Sequence, residues 1–339
     1  MVTEVLDPRR DPEPAYWKAL RDKAGLRADW SWEVLTTQAW AARTEQPVTV
    51  LLEDGEPRGV VSSAWVTGLT RRHRFARTAG RGRLGGLDVR SPGAGAMPGW
   101  WFDGEDGDGG VGRLLDTFVP AMRAELGLGL RALLVRQVGE SGVDSVRGLK
   151  MVRRTEDVAV LDVSPFSSRD DWMHSLARKR KQNLRKIFRT FEADPSLAVR
   201  VRPGTEADPV EIAELLRYNE TKHHDVPIVP LPAFVGYVGA LLRQPDVHVI
   251  EYRETATGRA IAIATLLDHP ALPVARHWAS LPPELGGRPN LYFHFYGEVV
   301  RWAIGAGRPQ VVFGKKMSEM KASLGAHLVP QYAAAVALV

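Results

Sequence analysis

The chain has no cysteine among its 339 residues, which excludes disulfides, thiolate metal sites and a cysteine nucleophile. No apolar run approaches the ~18 residues that cross a bilayer. The opening MVTEVLDPRRDPEP carries acidic residues and prolines where a signal peptide would have its apolar stretch. A cytoplasmic protein without a membrane span is the expectation. Also missing are G-x-S-x-G, a P-loop and H-E-x-x-H, so serine-hydrolase, P-loop kinase and zincin chemistries fall away.

Three weaker signals are set aside. Gly80-Arg-Gly82-Arg-Leu-Gly85 spells G-x-G-x-x-G, but no clean apolar strand precedes it, and Gly86 and Pro92 deny it a long helix behind. The acidic loop from Asp103 fails as a calcium loop, because Asp108 stands where glycine is needed and Leu114 where glutamate is needed. Glu220, His223, His224 and Asp225 could be taken for a metal cluster, but no further spaced ligand pair accompanies them. No metal is expected.

What is present is a repeated layout. Residues 48–66 and 247–268 each read as an apolar run, an acidic Gly-containing turn and a second apolar run, the pattern of a β-hairpin. After the first hairpin follow a Gly/Pro-rich stretch, a helix at 111–126, a strand at 131–137, a short helix near 142–149 and a strand near 155–163. After the second follow a strand at 274–279, a Gly/Pro loop at 286–289, a helix at 290–304, a strand at 310–314, a short helix near 317–325 and a final strand. Two copies of one mixed α/β unit account for this, with expected boundaries 1–165 and 166–339.

Charge distinguishes the copies. Lys plus Arg exceed Asp plus Glu by five, and seven of the twelve residues from Arg178 to Arg189 are basic. Ser167, with Asp170 three residues on, can cap one helix whose apolar face runs through Met173, Leu176, Ala177, Leu184, Ile187, Phe188 and Phe191. Arg178, Lys181, Arg185, Lys186 and Arg189 fall largely opposite. Such a face is a solvated helix surface or a site for a polyanion, since like charges at i,i+4 repel until something neutralises them. The loops before the two equivalent helices differ in sign. The first, residues 102–110, is acidic. In the second, Gly286 and Gly287 free the backbone, Arg288 adds charge and Asn290 can cap a helix whose amides favour anions. The aromatic helix Leu291-Tyr-Phe-His-Phe-Tyr296 is read as core on one face, with the other within reach of a cleft.

This doubled order of elements resembles a tandem GNAT fold, and the second half is similar to the Fem-like acyltransferases. The resemblance rests on Leu176–Ile187 with its basic R-x-N-[IL]-R-[RK]-like run, on residues 290–307, and on Phe313-Gly314 followed by Met320-Lys321-Ala-Ser-Leu324-Gly325. It implies an N-acyltransferase with no permanently bound cofactor and with aminoacyl-tRNA or acyl-CoA as co-substrate. The acetyl-CoA loop [QR]-x-x-G-x-[GA] is broken here, Pro283-Glu-Leu-Gly-Gly-Arg-Pro289 standing in its place. tRNA is therefore the leading donor and partner, with a small-molecule or peptide amine as acceptor; the acyl-CoA-dependent enzyme is the alternative. A non-catalytic RNA binder is the other class, without an RNP signature or KH loop to support it.

If the resemblance holds, an amine attacks a carbonyl held beside the strand containing His277 and Trp278, whose backbone N–H polarises it. Candidate bases are Glu220, His223, His224, Asp225 and His277, with His223 or His224 favoured because imidazole titrates near neutrality. Lys321 aligns with a family lysine that would bind donor phosphate or stabilise developing charge. Tyr296 is a candidate proton donor to the leaving group.

Overall fold

A computed structural model describes residues 2–42, 45–66, 84–104, 110–222 and 234–338. The chain divides into two compact units, one running to Asp157 and resuming at Pro330, the other lying between Val158 and Val329.

The first unit contains strands β1 (Val2–Leu6), β2 (Val48–Glu53), β3 (Glu56–Val66), β4 (Gly85–Val89), β5 (Trp100–Phe102), β6 (Leu130–Val138) and β7 (Lys150–Arg154). Its helices are α1 (Trp17–Ala24), α2 (Trp32–Ala41), α3 (Gly110–Arg113), α4 (Val119–Leu126) and α5 (Glu140–Ser145), a π-helical turn at Leu114–Phe118 joining α3 to α4. The β2–β3 hairpin forms because Asp54 and Gly55 both adopt left-handed backbone, φ 52° and 84°. An Asp-Gly pair suits a two-residue turn whose twist matches the strands. Leu51, Val61, Leu87 and Leu133 bury one sheet face against Leu114, Phe118 and Met122. Val48, Val50 and Val60 pack the other face against Trp17, Leu20 and Trp32.

The second unit contains β8 (Val158–Asp162), α6 (Arg169–Ser175), α7 (Arg178–Glu192), β9 (Leu197–Pro203), α8 (Pro209–Lys222), α9 (Val235–Leu242), β10 (Val247–Glu254), β11 (Ala260–Leu267), β12 (Val274–Ser280), α10 (Leu291–Gly305), β13 (Gln310–Gly314), α11 (Ser318–Ala322) and β14 (His327–Val329). Its sheet order is β14-β8-β13-β12-β11-β10-β9. β11, AIAIATLL, is buried along its whole length, as an uninterrupted apolar strand must be when helices cover both faces. Glu251 and Arg253 of β10 bond to one another, and Arg253 reaches Glu211 of α8. Tyr252, pointing the other way, bonds to His294 of α10. α8 and α10 therefore lie on opposite faces.

The hairpins and the strand–helix–strand series at 274–314 form where the pattern predicts. The predicted halves, 1–165 and 166–339, differ from the observed units in two strands. The strand expected to close the first half, β8, pairs with β13 and β14 of the second sheet. The final strand, β15 (Tyr332–Ala337), lies between β6 and β7 of the first. Each sheet is completed by a strand from the other half, and β7 fills a stretch of the first half for which no strand was predicted. Hydrophobic alternation defines a strand but not its partner.

Deleting residues 330–339 should therefore unfold the first unit while sparing the second. Limited proteolysis is expected to cut residues 1–157 and leave 158–329 protected; equal protection of both would contradict the exchange.

Candidate functional site

In the second unit the parallel neighbours β12 and β13 share a single register pair, Val274 with Val312, backed by the Val312 N–H donating to the Pro273 carbonyl at 2.9 Å. Beyond it the two strands separate, leaving the β13-facing edge of β12 without ladder bonds. The corresponding parallel pair of the first unit, β4 with β6, is zipped from Gly85–Leu130 to Val89–Val135. Among the described residues, the second unit alone has an open wedge between its middle strands.

β12 is bulged at the wedge. Ala275 faces Leu266 and His277 faces Thr265, so Arg276 is the extra residue, and a bulge re-aims the groups around it. Trp278 stacks on Phe295 of α10, with ring centroids 4.7 Å apart. Strand alternation therefore turns His277 to the α8 face. Its Nδ1 lies 2.7 Å from Thr265 Oγ1, while Nε2 is inaccessible to solvent and has no partner among the described residues. Burial, with the Arg276 charge adding to it, holds this imidazole well below its usual range, so it is neutral near pH 7. Thr265, one hydroxyl in an apolar strand, was the unused sequence signal for this pair.

α10 begins at the mouth of the wedge. Asn290 occupies the cap position in left-handed backbone, φ 64°, and its side chain caps nothing. The predicted donor loop is likewise committed internally. The Gly287 N–H donates to the Pro282 carbonyl at 3.0 Å, and a Cβ at Gly287 would meet the Leu281 carbonyl oxygen at 1.8 Å. The glycine serves a tight turn. Arg288 donates to the Gly286 carbonyl at 2.9 Å and lies 3.9 Å from Asp194. The loop thus has little left with which to cradle a diphosphate.

Lys321 is also committed. It is buried, 3% exposed, and its Nζ donates to the carbonyls of Phe313, Gly314 and Lys315 at 2.7, 3.2 and 2.7 Å. An ammonium has three hydrogens, and these three carbonyls lie at the end of β13. These bonds give Lys321 a structural role at the end of β13. Tyr296 is buried between Phe313, at 3.7 Å, and Trp172, at 5.9 Å. Burial raises its hydroxyl well above the usual range, and the hydroxyl has no partner among the described residues. Its ring is part of the core. Tyr292 is also raised, to about 12, by burial.

The basic segment divides differently from the expectation. Ser168 caps α6 through the Asp171 N–H, and Asp171 accepts from the Ser167 N–H, one residue later than the predicted box. Leu176 and Ala177 are extended and separate α6 from α7. α7 then buries Leu184, Ile187, Phe188 and Phe191. Phe188 and Phe191 pack on His294 of α10, and Arg180 lies over Phe293 at 5.2 Å. Arg178, Lys179, Arg180, Lys181, Arg185, Lys186 and Arg189 have no carboxylate within ion-pair distance among the described residues. The first turn of α7 holds no acid, so four cations surround amides that already favour anions. Arg185 meets His174 at 2.5 Å. Gln182, Arg185, Lys186, Arg189 and Thr190 line a shallow groove along the helix.

Glu220 lies in the last turn of α8, which packs on β11 and β12. His223, His224 and Asp225 lie outside the described residues, as do much of the acidic loop and Gly80 and Gly82 of the G-x-G-x-x-G run. Among the described residues no cluster of metal-ligating side chains occurs and no helix is long and apolar enough to cross a membrane. Sequence reasoning missed His294, a buried histidine bonded to Tyr252 at 3.0 Å, and Glu298, which pairs with Arg169 at 3.3 Å and with Arg301.

Two mixed sheets, each completed by the other half, with one wedge between parallel strands at a helix N-terminus, define a tandem GNAT-like fold. No family model matches the sequence, and no curated protein matches it. Among solved structures, FemX is similar over 98% of this chain and 97% of its own, at 10% identity and TM-score 0.61. The C-terminal domain (DUF2156) assigned to a lysylphosphatidylglycerol synthetase of Agrobacterium fabrum is similar at 14% identity and TM-score 0.58, covering 94% of this chain and 90% of its own. A conserved protein of unknown function from Bacteroides thetaiotaomicron reaches TM-score 0.57 at 10% identity, covering 98% of this chain and all of its own. The chain shares their fold.

Two outcomes follow from the buried groups. Lys321→Met leaves three carbonyls without their donor and should cost about 3 kcal/mol or more of stability, seen as a lowered thermal midpoint; an unchanged midpoint would return Lys321 to the chemistry. His294 is held down to about 4 by burial, with the Arg169 and Arg301 charges adding. The unfolded chain takes up this proton near pH 6.5 and the folded chain does not. Its contribution, on the order of 3 kcal/mol, is intact above that pH and is lost as pH falls toward about 4. Denaturant titrations of the wild type and His294→Phe across this window should show the slope flattened in the variant.

Proposed function

We propose that the protein is an N-acyltransferase that moves an aminoacyl group from aminoacyl-tRNA to the amine of a small molecule or peptide. The observation that carries the donor assignment is a contrast within the second unit. Seven cations on α7 have no carboxylate partner among the described residues, whereas Gly287 and Arg288, the groups that would hold a diphosphate, are already bonded inside the protein. A polyanion neutralises the first set without breaking any bond of the second.

The wedge supplies the reaction geometry. An aminoacyl ester entering beside β12 presents its carbonyl oxygen to the unladdered backbone N–H groups, which stabilise the charge that develops there. The acceptor amine attacks from the α8 face. A C–N bond forms, the ester C–O bond breaks, the ribose hydroxyl leaves with a proton, and the amine gives one up. His277 Nε2, Glu220, His223 and His224 are the candidate acceptors of that proton. Positioning carries much of the rate, because the reaction joins two held reactants. An acyl-CoA donor is the second reading, favoured by the α10 first-turn amides of Leu291 and Tyr292, which precede the bonds of Phe293 and His294 to the Asn290 carbonyl.

The test is binding of charged tRNA and of CoA to the purified protein across a salt series, followed by aminoacyl transfer to candidate amines. Arg178→Gln/Lys181→Gln/Arg185→Gln/Arg189→Gln should flatten the log–log salt slope for tRNA by about 3 and weaken low-salt binding ~100-fold. CoA binding that survives while tRNA fades near physiological salt would assign an acyl-CoA donor. His277→Phe is expected to lower kcat ~100-fold with tRNA binding unchanged; an unaltered kcat would remove His277 from the chemistry.

A further inference from the structure

The first unit carries an apolar row that its own core does not use. Leu84, Leu128 and Leu149 are 69%, 85% and 74% exposed, and Met151 is 72% exposed. Their sequence positions are scattered, but the sheet brings them to one end. Leu84 precedes Gly85, which pairs with Leu130, and Leu128 lies in the turn just before Leu130. The Leu338 N–H donates to the Arg131 carbonyl at 2.9 Å, and the Ala337 N–H to the Leu149 carbonyl at 2.9 Å. Leucines therefore mark the same end of four adjacent strands, β4, β6, β15 and β7, over ~14 Å at ordinary strand spacing, with Leu338 after β15 half-buried against the core and the leucines of the other three exposed. Met151, two residues beyond Leu149 on β7, extends the row.

The charge around this row has one dominant sign. Arg131, Arg147 and Arg153 are exposed and have no carboxylate partner among the described residues. Beside Leu338 a groove of about 300 Å³ opens, floored by Leu115, Val119 and Val336, with Arg123 and Arg147 on its walls and Asp116 as its acid. Single exposed leucines are ordinary, whereas a contiguous set rimmed by cations marks an interaction surface. Exposed leucine tips among arginines match a membrane interface, where side chains enter the acyl boundary while guanidinium groups meet anionic headgroups.

We propose that this end of the first sheet docks on an anionic phospholipid surface, with Leu128 and Leu149 entering the interface and Arg131 and Arg147 on the headgroups. The proposal is independent of the donor used by the second unit. The full-length protein would be sedimented with vesicles of phosphatidylglycerol mixed with phosphatidylcholine, and of phosphatidylcholine alone. Binding is expected only to the mixed vesicles, weakening with salt, and at least tenfold weaker for Leu128→Ser/Leu149→Ser and for Arg131→Gln/Arg147→Gln. All four positions are exposed, so the thermal midpoint and tRNA binding should not change. Wild-type vesicle binding by the leucine variant, with loss only when the α7 cations are replaced, would overturn the proposal in favour of the basic helix. Absence of vesicle binding would also overturn it, and a concentration-dependent dimer abolished by the leucine variant would then assign the row to a second copy of the chain.

Discussion

One missing ladder organises the second unit. Parallel strands normally continue pairing, because an unbonded N–H or C=O away from water costs about as much as a lost hydrogen bond. β12 and β13 abandon that pairing after Val274–Val312, and much of the surrounding structure accommodates the break. The bulge at Arg276 bends β12 away. Phe313 is held against Tyr296, and Phe295 fills the space beneath Trp278. Lys321 gathers the carbonyls at the end of β13, so that the departing strand ends in satisfied groups. The result is an opening whose edge offers hydrogen bonds and whose walls are already packed.

The first unit shows the alternative. With the same order of elements, β4 and β6 pair along their length, and the backbone groups that would meet a substrate are spent on one another. The repeated layout thus holds one open wedge and one closed copy. Buried polar residues persist there, Arg90 and Asp88 among them, 3.8 Å apart, but no parted strands are there for them to serve.

Much of the fold could be read from the chain because its signals are local. The Asp54-Gly55 turn, the apolar run of β11 and the helical spacing of residues 291–305 each declare an element within a few turns of sequence. The exchange of β8 and β15 could not, since the apolar run of β8 and the alternation of β15 name a strand without naming its sheet. The site was legible in part. His277 and the α7 cations stand out by residue type, whereas the commitments of Lys321, Gly287 and Arg288 depend on backbone carbonyls that have no side-chain signature. Ser167 and Asp170 gave the right capping chemistry one residue early, and the break at Leu176–Ala177 is invisible to a helical wheel because Leu176 continues the apolar stripe.

The exchanged strands also bear on how the chain reaches its folded state. β15 pairs with β6 across roughly 200 residues of intervening sequence, and contacts of such separation are slow to form. During synthesis the first unit's other strands emerge without the strand that joins β6 to β7, and that strand follows only after the whole of the second unit. Vectorial, half-by-half maturation is thereby denied to this protein. Until residues 332–337 arrive, β6 and β7 present open edges of the kind that recruit wrong partners, a vulnerability removed in one step when β15 pairs with both.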